Sequence, residues 1–163
     1  MFFVATADLA GRVNVSPKGM DTLRLVDDSR IIWLNLTGSG NETAAHVRAT
    51  GRMTLMFRAF EGEALILRLY GQAKVFHPRD ADWHGMVAAF PEIAGSRQIF
   101  DLTIDLVQTS CGTGVPIMEY QRPRADTELV PFYAEMGEDG VQEYWRRKNV
   151  VSLDGKSTGV FEG

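Results

Sequence analysis

The stretch Arg30-Ile31-Ile32-Trp33-Leu34-Asn35-Leu36-Thr37-Gly38-Ser39-Gly40-Asn41-Glu42-Thr43 decides how this chain folds. Its first seven residues are a nearly continuous apolar run, suited to a strand buried on both faces. A loop with two glycines follows. Glu42–Thr50 then reads as a short helix, with Asn41 as N-cap and Gly51 as the left-handed residue that ends it. A strand, a glycine loop and a helix start in that order present backbone N–H groups and hydroxyls to an anion, and a phosphate suits such a place. The other reading is an ordinary strand-to-helix turn in which Ser39 and Asn41 only cap the helix. Glu42 fits that reading, because its carboxylate already complements the helix dipole. The loop matches neither GxxxxGK(S/T) nor GxGxxG, so it carries no nucleoside triphosphate or dinucleotide fingerprint.

Outward from this stretch, strand signals dominate the first 110 residues. Phe2–Thr6 is apolar, Asp8–Gly11 is a turn cluster, and Arg12–Ser16 alternates with period two, which together predict a hairpin. Leu23–Val26 continues the pattern up to the turn Asp27-Asp28-Ser29. Arg52–Phe60 and Ala64–Phe76 are separated by Glu61-Gly62-Glu63, with Gly71 marking a bulge or bend in the second run. Arg97–Ser110 alternates imperfectly, with Asp101 and Asp105 expected on the wet face. Six or seven antiparallel strands of this length predict a mainly β fold closed into a barrel, since closure removes exposed edges. Besides Glu42–Thr50, helices are expected over Pro78–Phe90, Asp126–Met136 and Gly140–Asn149. Gly112–Asp126 is the one long irregular connection.

The chain has 163 residues, 45% apolar and 23% charged, as expected of one globular domain over residues 1–163 in which 113–163 form an irregular and helical extension. A net charge of -4 and a pI near 5.4 leave no global positive field for nucleic acid. No run approaches the roughly 18 apolar residues of a membrane span, which points away from a membrane partner. The single Cys111 cannot form an internal disulfide, so a reducing cytoplasm is the expected compartment. Trp33, Trp83 and Trp145 read as core or interface residues.

Two further segments can carry chemistry. In Asn14-Val15-Ser16-Pro17-Lys18-Gly19, Ser16 and Lys18 leave a strand end on the same side and offer a hydroxyl and a mobile cation to an oxyanion. A solvated strand end followed by a Pro-Lys-Gly turn is the plainer alternative. In Gln108–Pro116, Ser110, Cys111 and Gly112 are small enough for backbone to approach a flat ligand or a partner subunit. No histidine in that stretch supplies a base for Cys111, which reads as a structural thiol. His77, Asp80, Asp82 and His84 fit no strong zinc spacing, and no metal is expected. His46 is a lone helix histidine. No nucleophile triad or carboxylate pair can be read from spacing.

Taken together, NVSPKG, WLNLTGSGNETAAH, RMTLMF, LILRLYGQAKV and VQTSCGTGVP resemble the pyridoxamine 5'-phosphate oxidase-like, FMN-binding split-barrel superfamily over about residues 2 to 112. The resemblance implies a six-stranded antiparallel split barrel with flanking helices, working as a homodimer with flavin at the subunit interface. It also implies FMN as cofactor, with Ser16 and Lys18 beside the flavin and Asn35 and Thr37 near the ring system and ribityl chain. Ser39, Asn41 and Thr43 would surround the phosphate, while Ser110, Cys111 and Gly112 would face the ring from the partner subunit. The implied activity is an oxidoreductase acting with a small-molecule electron donor or acceptor, with no residue assigned as proton donor. The oxidases proper carry an Arg-Lys pair where this chain has Glu42-Thr43, which implies weaker FMN affinity and more reliance on Lys18. Their C-terminal arginine and histidine groups are not matched by Gln121–Arg124 or Tyr144–Arg147, so pyridoxamine phosphate is a poor substrate for this chain. A non-catalytic or stress-related flavin holder, and a split barrel for haem or deazaflavin F420, are the competing expectations; His46, His77 and His84 are the only candidate haem ligands.

Overall fold

A computed structural model describes residues 1–162. The chain order is β1 (Phe2–Thr6), β2 (Asn14–Lys18), β3 (Leu23–Asp27), β4 (Arg30–Leu36), α1 (Glu42–Thr50), β5 (Arg52–Arg58), β6 (Ile66–Phe76), α2 (Trp83–Val87), β7 (Ser96–Ser110) and α3 (Leu129–Lys148). Seven strands, all antiparallel, form one sheet in the order β2-β1-β5-β6-β7-β4-β3. The expected mainly β fold is present with flanking helices, with two corrections. The strands number seven rather than six, and the ladder does not close. Among the described residues β2 and β3 each pair on one side only. Pro17 lies opposite Phe3 in β2 and has no N–H to offer a further strand, as suits an edge.

The sheet nevertheless curls on itself. Three strands separate β1 from β4 in the sheet, yet Phe2 and Trp33 meet edge to face with ring centroids 6.0 Å apart. Trp33 stacks on Phe100 of β7 at 4.8 Å and is only 2% exposed. Val4, Leu55, Leu69 and Leu102 complete this core, and Ala44 and Val47 of α1 plug it. The curl depends on a bulge between Tyr70 and Gly71. A side chain at Gly71 would collide with the carbonyl oxygen of Thr103 on the neighbouring strand.

β4 is buried on both faces, as its apolar run predicts. Its other face joins Ile32 and Leu34 to Ile99, Trp83 and Phe90. A third cluster of Tyr133, Val141, Trp145 and Val160 belongs to the C-terminal extension, so all three tryptophans are core residues.

The helices differ from expectation in definable ways. Pro78–Phe90 contracts to α2, because the Asp80 carboxylate accepts the His77 N–H while the Asp80 N–H donates to the His77 carbonyl, holding 77–80 as a turn. The two helices expected over Asp126–Met136 and Gly140–Asn149 are present as the two halves of α3, which Gly137 separates with the non-helical φ 67° and ψ 172° that suit glycine. β2 lies two residues later than the alternation predicts, and β5 and β6 end short of Phe60 and Ala64. Asp105 is exposed as expected, but Asp101 is half-buried and takes two bonds from Arg30, at 2.9 and 2.7 Å. No helix among the described residues is long and apolar enough to cross a membrane.

Gly71→Ala is expected to cost about 1–3 kcal/mol by urea unfolding, because it overpacks the bulge. Gly85→Ala, in an exposed position with open space around it, is expected to be neutral or stabilising. Equal effects would show that the backbone approach at Gly71 does not shape the fold.

Candidate functional site

Where the ladder stays open, a cleft of about 360 Å³ separates β2 from β4 and the loop leading into α1. The strand end NVSPK forms one wall, with Ser16 and Lys18 on the same side of the strand as expected from alternation. Asn35, Thr37, Ser39, Asn41 and Thr43 line the other wall, so seven of the ten residues expected at the site come together here. Ser110, Cys111 and Gly112 do not line this cleft. They sit at the end of β7, where the Ser110 hydroxyl accepts from Arg68 at 3.0 Å, Cys111 is exposed, and Gly112 lies against the backbone of Leu65.

The seven residues do different work. Thr37 is structural: its N–H and hydroxyl both donate to the Gly95 carbonyl at 2.7 Å, and its hydroxyl accepts from the Trp145 indole at 2.8 Å. Asn41 does not cap α1 with its side chain. It pairs with the fully buried Gln98, whose amide donates to the Asn41 side-chain oxygen at 2.6 Å. The Thr43 hydroxyl accepts from Asn14 at 3.1 Å and ties α1 to β2 across the cleft. Ser39 is exposed at the mouth. The Ser16 hydroxyl is buried and has no hydrogen-bond partner among the described residues.

The loop is held from behind by groups that sequence reading missed. Tyr133 donates its hydroxyl to the Thr37 carbonyl at 2.9 Å, Asn149 donates to the Gly38 carbonyl at 3.0 Å, and Arg97 donates to the Gly40 carbonyl at 3.1 Å. Arg97 also donates to the Asn149 side-chain oxygen at 2.7 Å. Three of the loop's carbonyls, at 37, 38 and 40, are thereby engaged by groups outside the loop. The only signal for Arg97 and Gln98 was two long polar residues at the start of a run that becomes buried. Nothing in α3 marks Tyr133, Trp145 or Asn149 as belonging to this loop, because their partners lie about a hundred positions away.

The cleft is electropositive despite the acidic chain. Arg97 is 3% exposed, its Nε has no partner, and burial lowers its pKa to about 10, which leaves it a cation at neutral pH. Lys18 is lowered to about 8, first by burial and then by repulsion from Arg97, with Glu42 opposing. Its ammonium sits 5.3 Å from the centre of the Trp33 ring. An anion placed between these groups would relieve the desolvation and the mutual repulsion together. The missing Arg-Lys pair at the helix start is thus offset by a cation from β7.

The sequence model of the family described as pyridoxamine 5'-phosphate oxidase matches residues 1–111. The chain belongs to this family. A pyridoxamine 5'-phosphate oxidase family protein of Aspergillus flavus, ustO, is 33% identical over 171 residues, covering 95% of this chain and 69% of the relative. HupZ of Group A Streptococcus has a similar fold in two crystal structures, with TM-scores of 0.54 and 0.52 at 20% and 21% identity. These cover 67% and 65% of this chain and 88% and 81% of that one. In this family member the clamp on the loop comes mostly from α3, beyond the matched residues. No histidine lines the cleft: His46 is bonded to Thr6, His77 is buried near Arg79, and His84 is exposed on α2. No group of three metal-ligating side chains occurs among the described residues.

Asn149→Ala leaves the Gly38 carbonyl and an Arg97 N–H unpaired, with an expected loss of about 1–3 kcal/mol. Faster amide exchange at residues 38–43 than at β5 would accompany it, and unchanged exchange there would refute the clamp. Lys18→Met tests the electrostatics in the ligand-free protein. A lysine whose folded pKa lies below its unfolded value destabilises the fold most below pH 8, and that penalty fades as pH rises from 8 towards 10.5. The variant is therefore expected to melt higher than wild type at pH 7, with the difference shrinking over that window.

Proposed function

We propose that this chain binds FMN in the cleft between β2 and β4 and serves as an oxidoreductase for a small organic molecule. The observation that carries this reading is the coincidence of two half-to-fully buried cations, Lys18 and Arg97, with a buried Ser16 hydroxyl lacking a partner. All three line a cleft beside a loop whose carbonyls are engaged elsewhere. A phosphate dianion supplies what these groups lack, since charge-assisted bonds to it are about twice as strong as neutral ones. Ser39, Asn41 and Thr43 stand at the same loop and helix start.

FMN, when bound, supplies two-electron chemistry. The chain's own part is to bind and orient. Ser16, Lys18 and Arg97 hold the anionic end, Asn35 and Trp33 form the wall along which the remainder extends, and Lys18 places positive charge at the mouth. The reading includes a twofold homodimer that brings Ser110, Cys111 and Gly112 of a second copy towards the ring. The exposed apolar residues Leu65, Leu106 and Val107 at that end of the sheet support it. Pyridoxamine phosphate is not the proposed substrate.

A second reading, a holder of flavin without turnover, is favoured by one observation: Lys18, Glu42 and Arg97 are the only ionisable side chains lining the cleft. Reduction of the bound flavin by a nicotinamide donor at a useful rate would exclude it.

Titration of the purified protein with FMN, followed by the visible flavin band and by quenching of flavin fluorescence, is expected to saturate at one flavin per chain. Lys18→Met, the variant that melts higher, is expected to bind FMN about 10- to 100-fold more weakly, as the loss of a charged hydrogen bond predicts. An unperturbed flavin spectrum at saturating concentrations would end the proposal.

A further inference from the structure

Beside the cleft lies a second and larger cavity, of about 1130 Å³, between the end of β2 and the C-terminal extension. Its walls are mostly apolar and aromatic: Met20, Ile93, Tyr120, Leu129 and Phe132 contribute most of the ring and aliphatic surface. The two spaces adjoin, with Lys18, Met20 and Leu129 as shared walls. This volume is slightly above the range of about 300–1,000 Å³ usual for small-molecule sites, so the space suits a large molecule.

We infer that this chamber is the substrate site, and that it takes a large, predominantly apolar, ring-bearing molecule without a phosphate group. The inference rests on reading the adjoining cleft as the flavin site, and it adds the class of substrate. Four observations carry it. The chamber shares the wall Pro17–Met20 and Leu129 with the cleft, so a molecule bound in it would lie beside the cofactor. Met20, at that junction, is the only non-glycine residue with positive φ among those described, 65°, and backbone held in this region concentrates at ligand sites. Phe132 is 51% exposed and stacks edge-on against Tyr133 at 5.1 Å, so an aromatic surface stands open where a ring could pack.

The fourth observation is charge. Besides Lys18 the lining holds one cation, Arg124, against Asp21, Asp126 and Glu128, and Asp21 is already taken up by Arg24. With Arg124 set against Asp126 and Glu128, no excess positive charge remains there to hold a second phosphate, whereas an apolar body needs none. Tyr133 links the two spaces physically, since it lines the chamber and donates to the Thr37 carbonyl of the cofactor loop.

Anilinonaphthalene sulfonate, an aromatic anion without phosphate, is the probe. With FMN-loaded wild-type protein its fluorescence is expected to rise saturably at one site per chain. Phe132→Asp and Tyr120→Asp, at residues that line the chamber and not the cleft, are each expected to weaken it at least tenfold while the visible flavin band stays unchanged. Absence of saturable binding, or equal affinity in both variants and wild type, would overturn the inference. So would light scattering in which Phe132→Asp turns a dimer into monomers, because the chamber would then be a subunit contact. If no FMN binds but the dye still binds the flavin-free protein with the same sensitivity to both substitutions, the cofactor reading falls and the chamber stands as a ligand site of its own.

Discussion

The arrangement of this molecule depends on how the carbonyl oxygens of Thr37, Gly38 and Gly40 are satisfied. A loop that is to receive an anion must direct donors at it, and any carbonyl left facing the same point would repel it. Here Tyr133, Asn149 and Arg97 engage those carbonyls from outside the loop. Each of the three is nearly or fully buried, so the bonds form in a medium where an unmade bond would cost about 1–3 kcal/mol. The loop's shape is therefore set by β7 and α3 rather than by its own glycines. This gives the C-terminal extension a purpose that its irregular start does not suggest, because without α3 two of the three carbonyls lose their partners.

The open ladder and the curled core are two aspects of the same geometry. Phe2, Trp33 and Phe100 pull β1, β4 and β7 around a common centre, while the two edge strands β2 and β3 form no ladder with each other among the described residues. A closed barrel would join these edges with a ladder and leave no room for a ligand. Pro17 in β2 helps keep the sheet open by removing a donor from the edge. The cleft is thus a consequence of barrel curvature combined with an edge that cannot pair.

What could be read from the residues alone, and what could not, follows the range of the interactions. β4, α1 and the Gly71 bulge rest on local signals, apolar runs, cap residues and a lone glycine in a strand, and they lie where these signals put them. Seven of the ten residues expected at the site line one cleft because a strand end and a helix start can be located from local pattern. Their individual roles could not. Thr37 and Asn41 look like ligand donors, yet their side chains are occupied by Gly95 and Trp145 in one case and Gln98 in the other, all distant in sequence. Arg97 shows the converse. An arginine opening a strand looks solvated, and only the packing of β7 beneath the loop makes it buried. The division of α3 at Gly137 was legible, because two amphipathic segments separated by a glycine read as two helices and the backbone there is non-helical.

Burying Arg97 and bringing Lys18 near it would be poor economy in a protein that only had to fold. Both pKa values fall, and burial is the first cause in each, which means that the charged forms are less stable here than in water. The ligand-free protein carries this cost at neutral pH with Glu42 as the only anion lining the cleft. A dianion bound between the two cations would remove it, and ligand binding would add stability in proportion to the logarithm of ligand concentration over Kd. Stability sacrificed at a site and recovered on binding is what a ligand site displays and what a structural ion pair does not, since a structural pair would carry its counter-charge within the chain. The Arg30–Asp101 pair is such a case, and neither charge is left uncompensated there. The contrast between the two arginines, one paired with a carboxylate on the sheet surface and one bonded beneath the loop to the neutral oxygens of Gly40 and Asn149, is what the proposed anion site rests on.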